Sequence, residues 1–336
     1  MSTHSVNIIK INELLTHPNA DRLAIVHING WNCVVAKDQF AAGDRAVYVE
    51  PDYVVPLGRP EFAFLGKGKE DATEHRVKAV RLRGQLSFGL LIPLPDEFSD
   101  MPTGADVMEA MGIRRYVPLV KNFNPRVDDT LPPYEWPQVH AVKFDLEDLR
   151  KHEHIFQRGD YVYVTEKLHG GNGKIVWHRD RLYIGSRTRW LQTSIRSLWT
   201  RAILESEQAP RLQALCQAHP DVIFYGEIFG PVQELRYGLQ EPEFAVFAAL
   251  DRGEWWSLKS LFDKLVKYDV LEVPTIFSGR YDREKIAALA EGDTNVNTAP
   301  KGHMMEGIVI VAEPPRNDSN IGRVALKLIS NRYWES

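Results

Sequence analysis

The chain has 336 residues, 44% of them apolar and 26% charged, and a formal net charge of −4. These values belong to an ordinary globular protein large enough for two domains. They exclude a low-complexity chain or a global positive field, so contact with nucleic acid must rest on local basic patches. No apolar run reaches the length of a membrane span, and Met1-Ser2-Thr3-His4-Ser5 lacks the regions of a secretory leader, so a cytoplasmic protein with no membrane partner is expected. Cys33 and Cys216 lie far apart in apolar surroundings, which suits reduced, buried thiols better than a disulfide or a zinc site.

In chain order, short apolar or alternating runs predict strands over Val6–Ile11, Arg22–Val26, Asn32–Val35, Arg45–Val49, Val77–Leu82 and Leu86–Ile92. Short strands in such number read as a small β-barrel in residues 1–110. A linker is expected over 111–140, where the Pro-rich and aromatic stretch Val117 to Trp136 has little periodicity. Over 141–336 the pattern becomes mixed α/β. Ile195, Leu198, Trp199, Ala202 and Ile203 fall at helical spacing, as do Leu258, Leu261, Phe262 and Leu265. Apolar strands are predicted at Val222–Tyr225, Phe244–Ala248, Gly307–Val311 and Val324–Ile329.

Within this second part, the β-branched and aromatic run Tyr161-Val162-Tyr163-Val164 delivers Lys167 to a strand edge, ahead of Gly170, Gly171 and Gly173. Those glycines permit close backbone approach and positive φ, which suits a loop closing over a phosphate-bearing ligand. An ordinary surface lysine before a hairpin turn fits the same residues. Glu227 and Glu306 each lie at a strand edge beside glycine, exposed to a ligand or metal; a solvated turn or a glycosidase acid–base pair would fit equally. Lys327 interrupts the apolar strand Arg323–Ser330 and needs an edge position or an anion. A nucleophilic lysine, two acids and a second lysine meet the needs of nucleotidyl transfer, with Lys327 and a metal expected to lower the pKa of Lys167.

Lys167-Leu168-His169-Gly170 resembles the nucleophile motif of the covalent nucleotidyltransferases, and with Glu166 and Asn172 it is most similar to that of the ATP-dependent RNA ligases. Gly185-Ser186-Arg187, Glu227, Phe247, Glu306-Gly307-Ile308-Val309 and Lys327 resemble the later motifs in order. The resemblance implies an antiparallel, ATP-grasp-like adenylyltransferase domain. It implies Lys167 and Lys327 as catalytic residues, and Glu166, Lys167, Leu168, Gly170, Asn172, Arg187, Glu227, Phe247 and Lys327 around ATP. It also implies Mg²⁺ or Mn²⁺ on Glu227 and Glu306. The last motif of the family carries a second lysine; here Ile329 or Ala325 stands in its place.

His17-Pro18-Asn19-Ala20-Asp21-Arg22-Leu23 and Arg81–Leu90 resemble OB-fold domains that bind transfer RNA, and Arg76, Lys78, Arg81, Arg83 and Arg189 are candidate RNA contacts. Arg76 and Lys78 share one strand face and Arg81 and Arg83 the other, so a single stripe needs a bend between them. Arg196 and Arg201 extend the set in the second domain, with Trp190 and Trp199, the latter placed in the core by its helical face. The expected protein is an α+β chain with an N-terminal OB barrel and an adenylyltransferase domain, a monomer that seals 3′-hydroxyl and 5′-phosphate RNA ends through lysyl-AMP and AMP-capped RNA. A DNA ligase, a capping guanylyltransferase and a non-catalytic RNA-binding protein are the competing readings.

Overall fold

The computed structural model describes residues 5–29, 31–68, 72–116 and 129–335; of the expected linker, 117–128 lie outside the described residues. The described residues gather into two compact units. One holds those up to Tyr116 together with Trp334 and Glu335, and the other holds Asp129 to Tyr333.

The first unit is built from short antiparallel strands. Asn7–Lys10, Arg45–Val49 and Leu90–Pro93 form one sheet, and Leu15–Thr16, Leu23–Ile28 and Trp31–Ala36 another. Alternation along Arg45–Val49 turns Val47 and Val49 to one core, with Ile8, Phe62 and Ile92, and Ala46 and Tyr48 to a second, with Val26 and Cys33. Two of the predicted strands are interrupted. Of Val77–Leu82 only Val80–Leu82 is strand, separated by residues 77–79 from an unpredicted strand Glu74–Arg76, and Leu86–Ile92 divides into Gln85–Ser87 and Leu90–Pro93. The second break has a backbone cause: Gly89 has φ 79°, and a Cβ there would lie 2.4 Å from the carbonyl oxygen of Val49.

The first break puts Arg76 and Arg81 on different sheets. Arg76 is occupied by Asp52 at 2.6 Å and lies 3.9 Å from the Tyr116 ring centre. Arg81 donates to the carbonyl of Gly84 at 2.7 Å and pairs with Glu335, while Lys78 and Arg83 are exposed. The hairpin that carries Arg81 and Arg83 turns through Arg83 (φ 49°) and Gly84 (φ 90°). Buried His17 clasps it: Nε2 bonds the carbonyl of Leu82 at 3.1 Å, Nδ1 accepts the Asn19 backbone N–H at 3.1 Å, and Asn19 Nδ2 donates to the carbonyl of Arg83 at 3.3 Å. Two stretches that are separate in sequence are thus one structural device. Trp334 packs edge-on to Trp31 and Phe88 in this unit, at 6.3 and 6.4 Å between ring centres.

Among the described residues the second unit holds two large sheets and a two-stranded ribbon, Asn317–Asp318 with Gly322–Arg323. The strands of the large sheets are β1 (Glu147–Asp148), β2 (Tyr161–Lys167), β3 (Gly171–His178), β4 (Arg181–Ser186), β5 (Trp190–Leu191), β6 (Ile223–Phe229), β7 (Glu243–Asp251), β8 (Glu254–Trp255), β9 (Thr275–Arg280), β10 (Gly307–Ala312) and β11 (Ala325–Ile329). One sheet runs in the order β1-β11-β10-β2-β9, the other β5-β4-β3-β6-β7-β8. Every pairing is antiparallel except β1 with β11. Helices α1 (Leu198–Leu204) and α3 (Leu258–Tyr268) bury the apolar stripes read from the sequence, and α2 (Ala209–Ala218), not read there, lies in the same core: Trp199, Ala202, Ile203, Leu212, Leu215, Leu258, Leu261 and Leu265 join Ile175, Phe224 and Phe244. Ser197 caps α1 through a capping box, and Ser257 caps α3. Among the described residues no helix is long and apolar enough to cross a membrane.

Lys174 is the unexpected member of β3. It is 4% exposed, its ammonium lies 4.6 Å from the centre of the Trp190 ring, and burial pushes its pKa down to about 8. An unfolded chain holds this proton more tightly, so the penalty is fully present below pH 8 and fades as pH rises toward the ordinary lysine value. Lys174→Met is expected to stabilise the protein by about 1–3 kcal/mol at pH 7, with the gain shrinking by pH 10. Denaturant melts at the two pH values measure it.

Candidate active site

Strand β2 ends the first sheet at Lys167, and the chain crosses through Leu168, His169 and Gly170 to open β3 in the second sheet at Gly171. The nucleophile candidate therefore stands where the sheets exchange chain. Gly171 and Gly173 lie within β3, and neither they nor Gly170 has a positive φ, so these three glycines do not form the expected loop. What Gly170 supplies is room: a Cβ there would lie 2.1 Å from the carbonyl oxygen of Ile228.

Registry brings the other groups in. Lys167 pairs with Gly307, which sets Glu306 beside it, and Lys327 of β11 pairs with Val309 of β10 and with Asp148 of β1. Asn172 of β3 pairs with Glu227 of β6. Lys167 Nζ donates to Glu306 Oε1 at 2.6 Å. His169 bridges Glu306 Oε2 (3.3 Å from Nδ1) and Glu234 Oε2 (2.9 Å from Nε2), and the Tyr333 hydroxyl lies 3.2 Å from Nδ1.

The charges settle in an order the sequence did not suggest. Burial works against the Lys167 ammonium, but the Glu306 and Glu227 carboxylates outweigh it and raise the pKa. Burial likewise opposes Glu306, and the Lys167 ammonium and the His169 hydrogen bond hold its pKa down to about 2. Glu227 is pushed up to about 8 by burial, with the Glu306 charge adding to it against the pull of Lys167. Lys327 is lowered by burial and then by the Lys167 charge. The expectation that Lys327 prepares Lys167 by lowering its pKa is therefore reversed in this state, because two carboxylates lie within reach of Lys167 and dominate its field.

Glu166 is buried, and its carboxylate accepts from Thr294 Oγ1 at 2.5 Å, the Asn295 backbone N–H at 2.7 Å and Asn295 Nδ2 at 3.4 Å. Leu168 is a core residue. Asn172 Oδ1 is buried with no hydrogen-bond partner among the described residues. Phe247 falls at a β-bulge of β7, where Tyr225 pairs with Ala248 and Gly226 with Val246, and its ring contacts Phe144 at 4.7 Å. Arg187 donates through Nη2 to Asp145 Oδ2 at 2.5 Å. Ser186 and Arg189 close a turn through their backbones at 2.9 Å. Trp190 and Trp199 are both buried, and Arg196 and Arg201 are paired with Glu205 and Glu241 along a groove of about 830 Å³ whose lining includes neither Lys167 nor Arg187. Ile329 and Ala325, the two positions open to a second lysine, are buried apolar residues that leave Lys327 without a neighbouring cation on its strand.

A profile of the RNA ligase family matches residues 160–329, a little over half of the chain. The chain belongs to the RNA ligase family. An OB-fold domain profile matches residues 5–94, which accounts for the barrel strands of the first unit. Among curated proteins none matches. Solved structures of Naegleria gruberi RNA ligase share the fold. A lysine-to-alanine variant with ATP and Mn is 24% identical, with 98% of each chain covered and a TM-score of 0.80. The same enzyme with PPi is 24% identical over 98% of each chain, with a TM-score of 0.79. A glutamate-to-alanine variant with AMP and Mn is 25% identical over 99% of this chain and 98% of that one, with a TM-score of 0.79.

Several residues of this candidate site had no sequence signal. Asp145, Asp148, Glu234 and Tyr333 reach it only through long-range packing, and Asp148, buried beside Lys327, carries a pKa raised by burial against the pull of Arg150 and Lys327. Tyr237 is fully buried, and its hydroxyl accepts the backbone N–H of His169 at 2.8 Å, fixing the crossing turn. Tyr237→Phe leaves that N–H unpaired and should cost about 1–2 kcal/mol in a denaturant melt.

Proposed function

We propose that this enzyme seals RNA ends bearing a 3′-hydroxyl and a 5′-phosphate, using ATP. The observation that carries the reading is Lys167 held at a strand end against Glu306, within reach of the charges of Glu227 and Lys327. Lys167 Nζ would attack the α-phosphorus of ATP, forming an N–P bond as the bond to the pyrophosphate oxygen breaks. The AMP would pass to the RNA 5′-phosphate, and the 3′-hydroxyl would displace it to form the phosphodiester.

For the amine to attack it must give up its proton, and here Glu306 and Glu227 keep that proton on. A hard divalent cation suits two carboxylates: burial pushes Glu227 up to about 8 with the Glu306 charge adding to it, while the Lys167 ammonium and His169 hold Glu306 down to about 2. Among the described residues no cluster of three or more His, Cys, Asp or Glu is arranged as a metal site, so Mg²⁺ or Mn²⁺ on Glu227 and Glu306 would keep much of its water shell. When bound, such a cation supplies charge neutralisation at the phosphates. Were Glu306 to hold such a cation, Lys167 would lose the partner that keeps it protonated and could release its proton to solvent before attack. Lys327 would neutralise phosphate charge, Phe247 would stack on adenine, and Glu166, Gly170 and Asn172 would line the nucleotide.

RNA is the partner favoured by the family and by exposed Lys78, Arg81 and Arg83 on the OB unit, with Arg189 in the second unit. Two free, buried cysteines suit work in the reducing cytosol. Sealing assays on nicked duplexes, with RNA or DNA at each terminus, test the substrate: joining is expected with RNA at the 3′-hydroxyl end, and a strict demand for DNA there would overturn the choice.

A further inference from the structure

A short strap, residues 142–148, carries an anion into a cluster of cations. Its first end is fastened to the second sheet: the Tyr225 hydroxyl accepts the Val142 N–H at 3.0 Å and donates to the Val142 carbonyl at 3.1 Å, and Phe144 lies against Phe247 and Trp255. Its other end, β1, pairs with Leu326 and Lys327 of the first sheet. Between the fastenings stands Asp145. Its Oδ2 accepts from Arg187 Nη2 at 2.5 Å and lies 3.9 Å from Lys143 Nζ, and its charge reaches Lys327. Arg187 Nε is buried with no hydrogen-bond partner among the described residues, a donor awaiting an oxygen.

We propose that Asp145 is an internal stand-in for a phosphate, occupying an oxyanion subsite formed by Arg187 and Lys143 beside Lys327 and yielding it when substrate arrives. The inference rests on the proposed reaction, in which every substrate carries phosphate. A carboxylate and a phosphate present the same paired oxygens to a guanidinium, and the phosphate adds charge and a third acceptor that suits the open Nε. Displacement is cheap: the Arg187 and Asp145 side chains are 40% and 27% exposed, so their pairing is solvent-screened. Until then the carboxylate relieves repulsion among the cations and holds the Arg187 guanidinium.

The test compares the full-length wild type, Asp145→Asn, Lys143→Ala and the double variant. Affinity is measured for a 5′-phosphorylated RNA oligonucleotide, its 5′-hydroxyl twin, and ATP. Asp145→Asn is expected to tighten binding of a phosphate-bearing ligand about fivefold, with no gain for the 5′-hydroxyl RNA. Lys143→Ala should weaken binding, and the double variant should lose the gain. A gain confined to phosphorylated RNA assigns the subsite to the RNA end; a gain confined to ATP assigns it to the nucleotide. Unchanged or weaker binding of both by Asp145→Asn overturns the proposal. Misfolding cannot mimic a gain in affinity. Covalent labelling of the same wild-type sample by ATP reports separately on the ligase reading, whose failure would leave the binding comparison interpretable.

Discussion

Lys167→Ala is expected to leave no covalent adduct with ATP, while the protein still joins RNA that already carries AMP on its 5′-phosphate. In the proposed reaction the amine would act only in forming lysyl-AMP, and the last step would need the phosphate-binding groups and a positioned 3′-hydroxyl. Two other lysines near the strands are poor substitutes. Lys174 is buried against Trp190, and Lys327 sits in mid-strand between β10 and β1. A gel-based assay with α-labelled ATP and a separate assay with pre-adenylylated RNA measure the two halves. Loss of both in a folded variant would mean that Lys167 holds the site together rather than attacking.

Glu306→Gln should produce a divergence between amine reactivity and catalysis. In the wild type Glu306 and Glu227 hold Lys167 protonated against burial. Once Glu306 is neutral, burial has less to overcome, the Lys167 pKa falls, and more of the free amine exists near pH 8. An amine-selective acylating reagent should therefore label Lys167 faster in the variant. Lysyl-AMP formation should nevertheless drop on the order of a hundred- to a thousandfold, because an acid placed for the charged transition state is gone. Equal slowing of both reactions would contradict the electrostatic account. Stability moves with pH as well. The folded pKa of Glu306 is about 2, below its ordinary 4.5, so its stabilisation is fully present above pH 4.5 and is lost as pH falls toward 2. The stability deficit of the variant should shrink over that same window.

What could be read in the sequence was whatever depended on local periodicity. The apolar runs now seen as β6, β7, β10 and β11 were legible, as were the stripes of α1 and α3, because each buries residues spaced along its own backbone. The broken strands around Val77 and Gly89 were not, since those interruptions answer to Tyr53 and Val49 across the barrel. The ordered motif residues pointed to the site, but their electrical state did not follow from their order. Lys167 is governed by Glu306, which stands 139 positions away in the chain. Asp145 and Asp148 look like ordinary charged residues until the strap and the parallel pairing of β1 with β11 bring them to Arg187 and Lys327. His17 and Leu82 likewise show their relation only when folded.

One question bears on the whole account: which lysine carries the nucleotide. Of the two lysines that feel the Glu306 charge, Lys327 has a lowered pKa and Lys167 a raised one, so a reading from titration alone would choose Lys327. Geometry chooses Lys167, at the strand end where the sheets exchange chain and Glu306 can be drawn away. Incubation of the wild type with ATP and Mg²⁺ or Mn²⁺, followed by intact mass measurement and peptide mapping, decides between them. The account predicts a single adenylyl group on Lys167; an adduct on Lys327, or none on a folded protein, would contradict it.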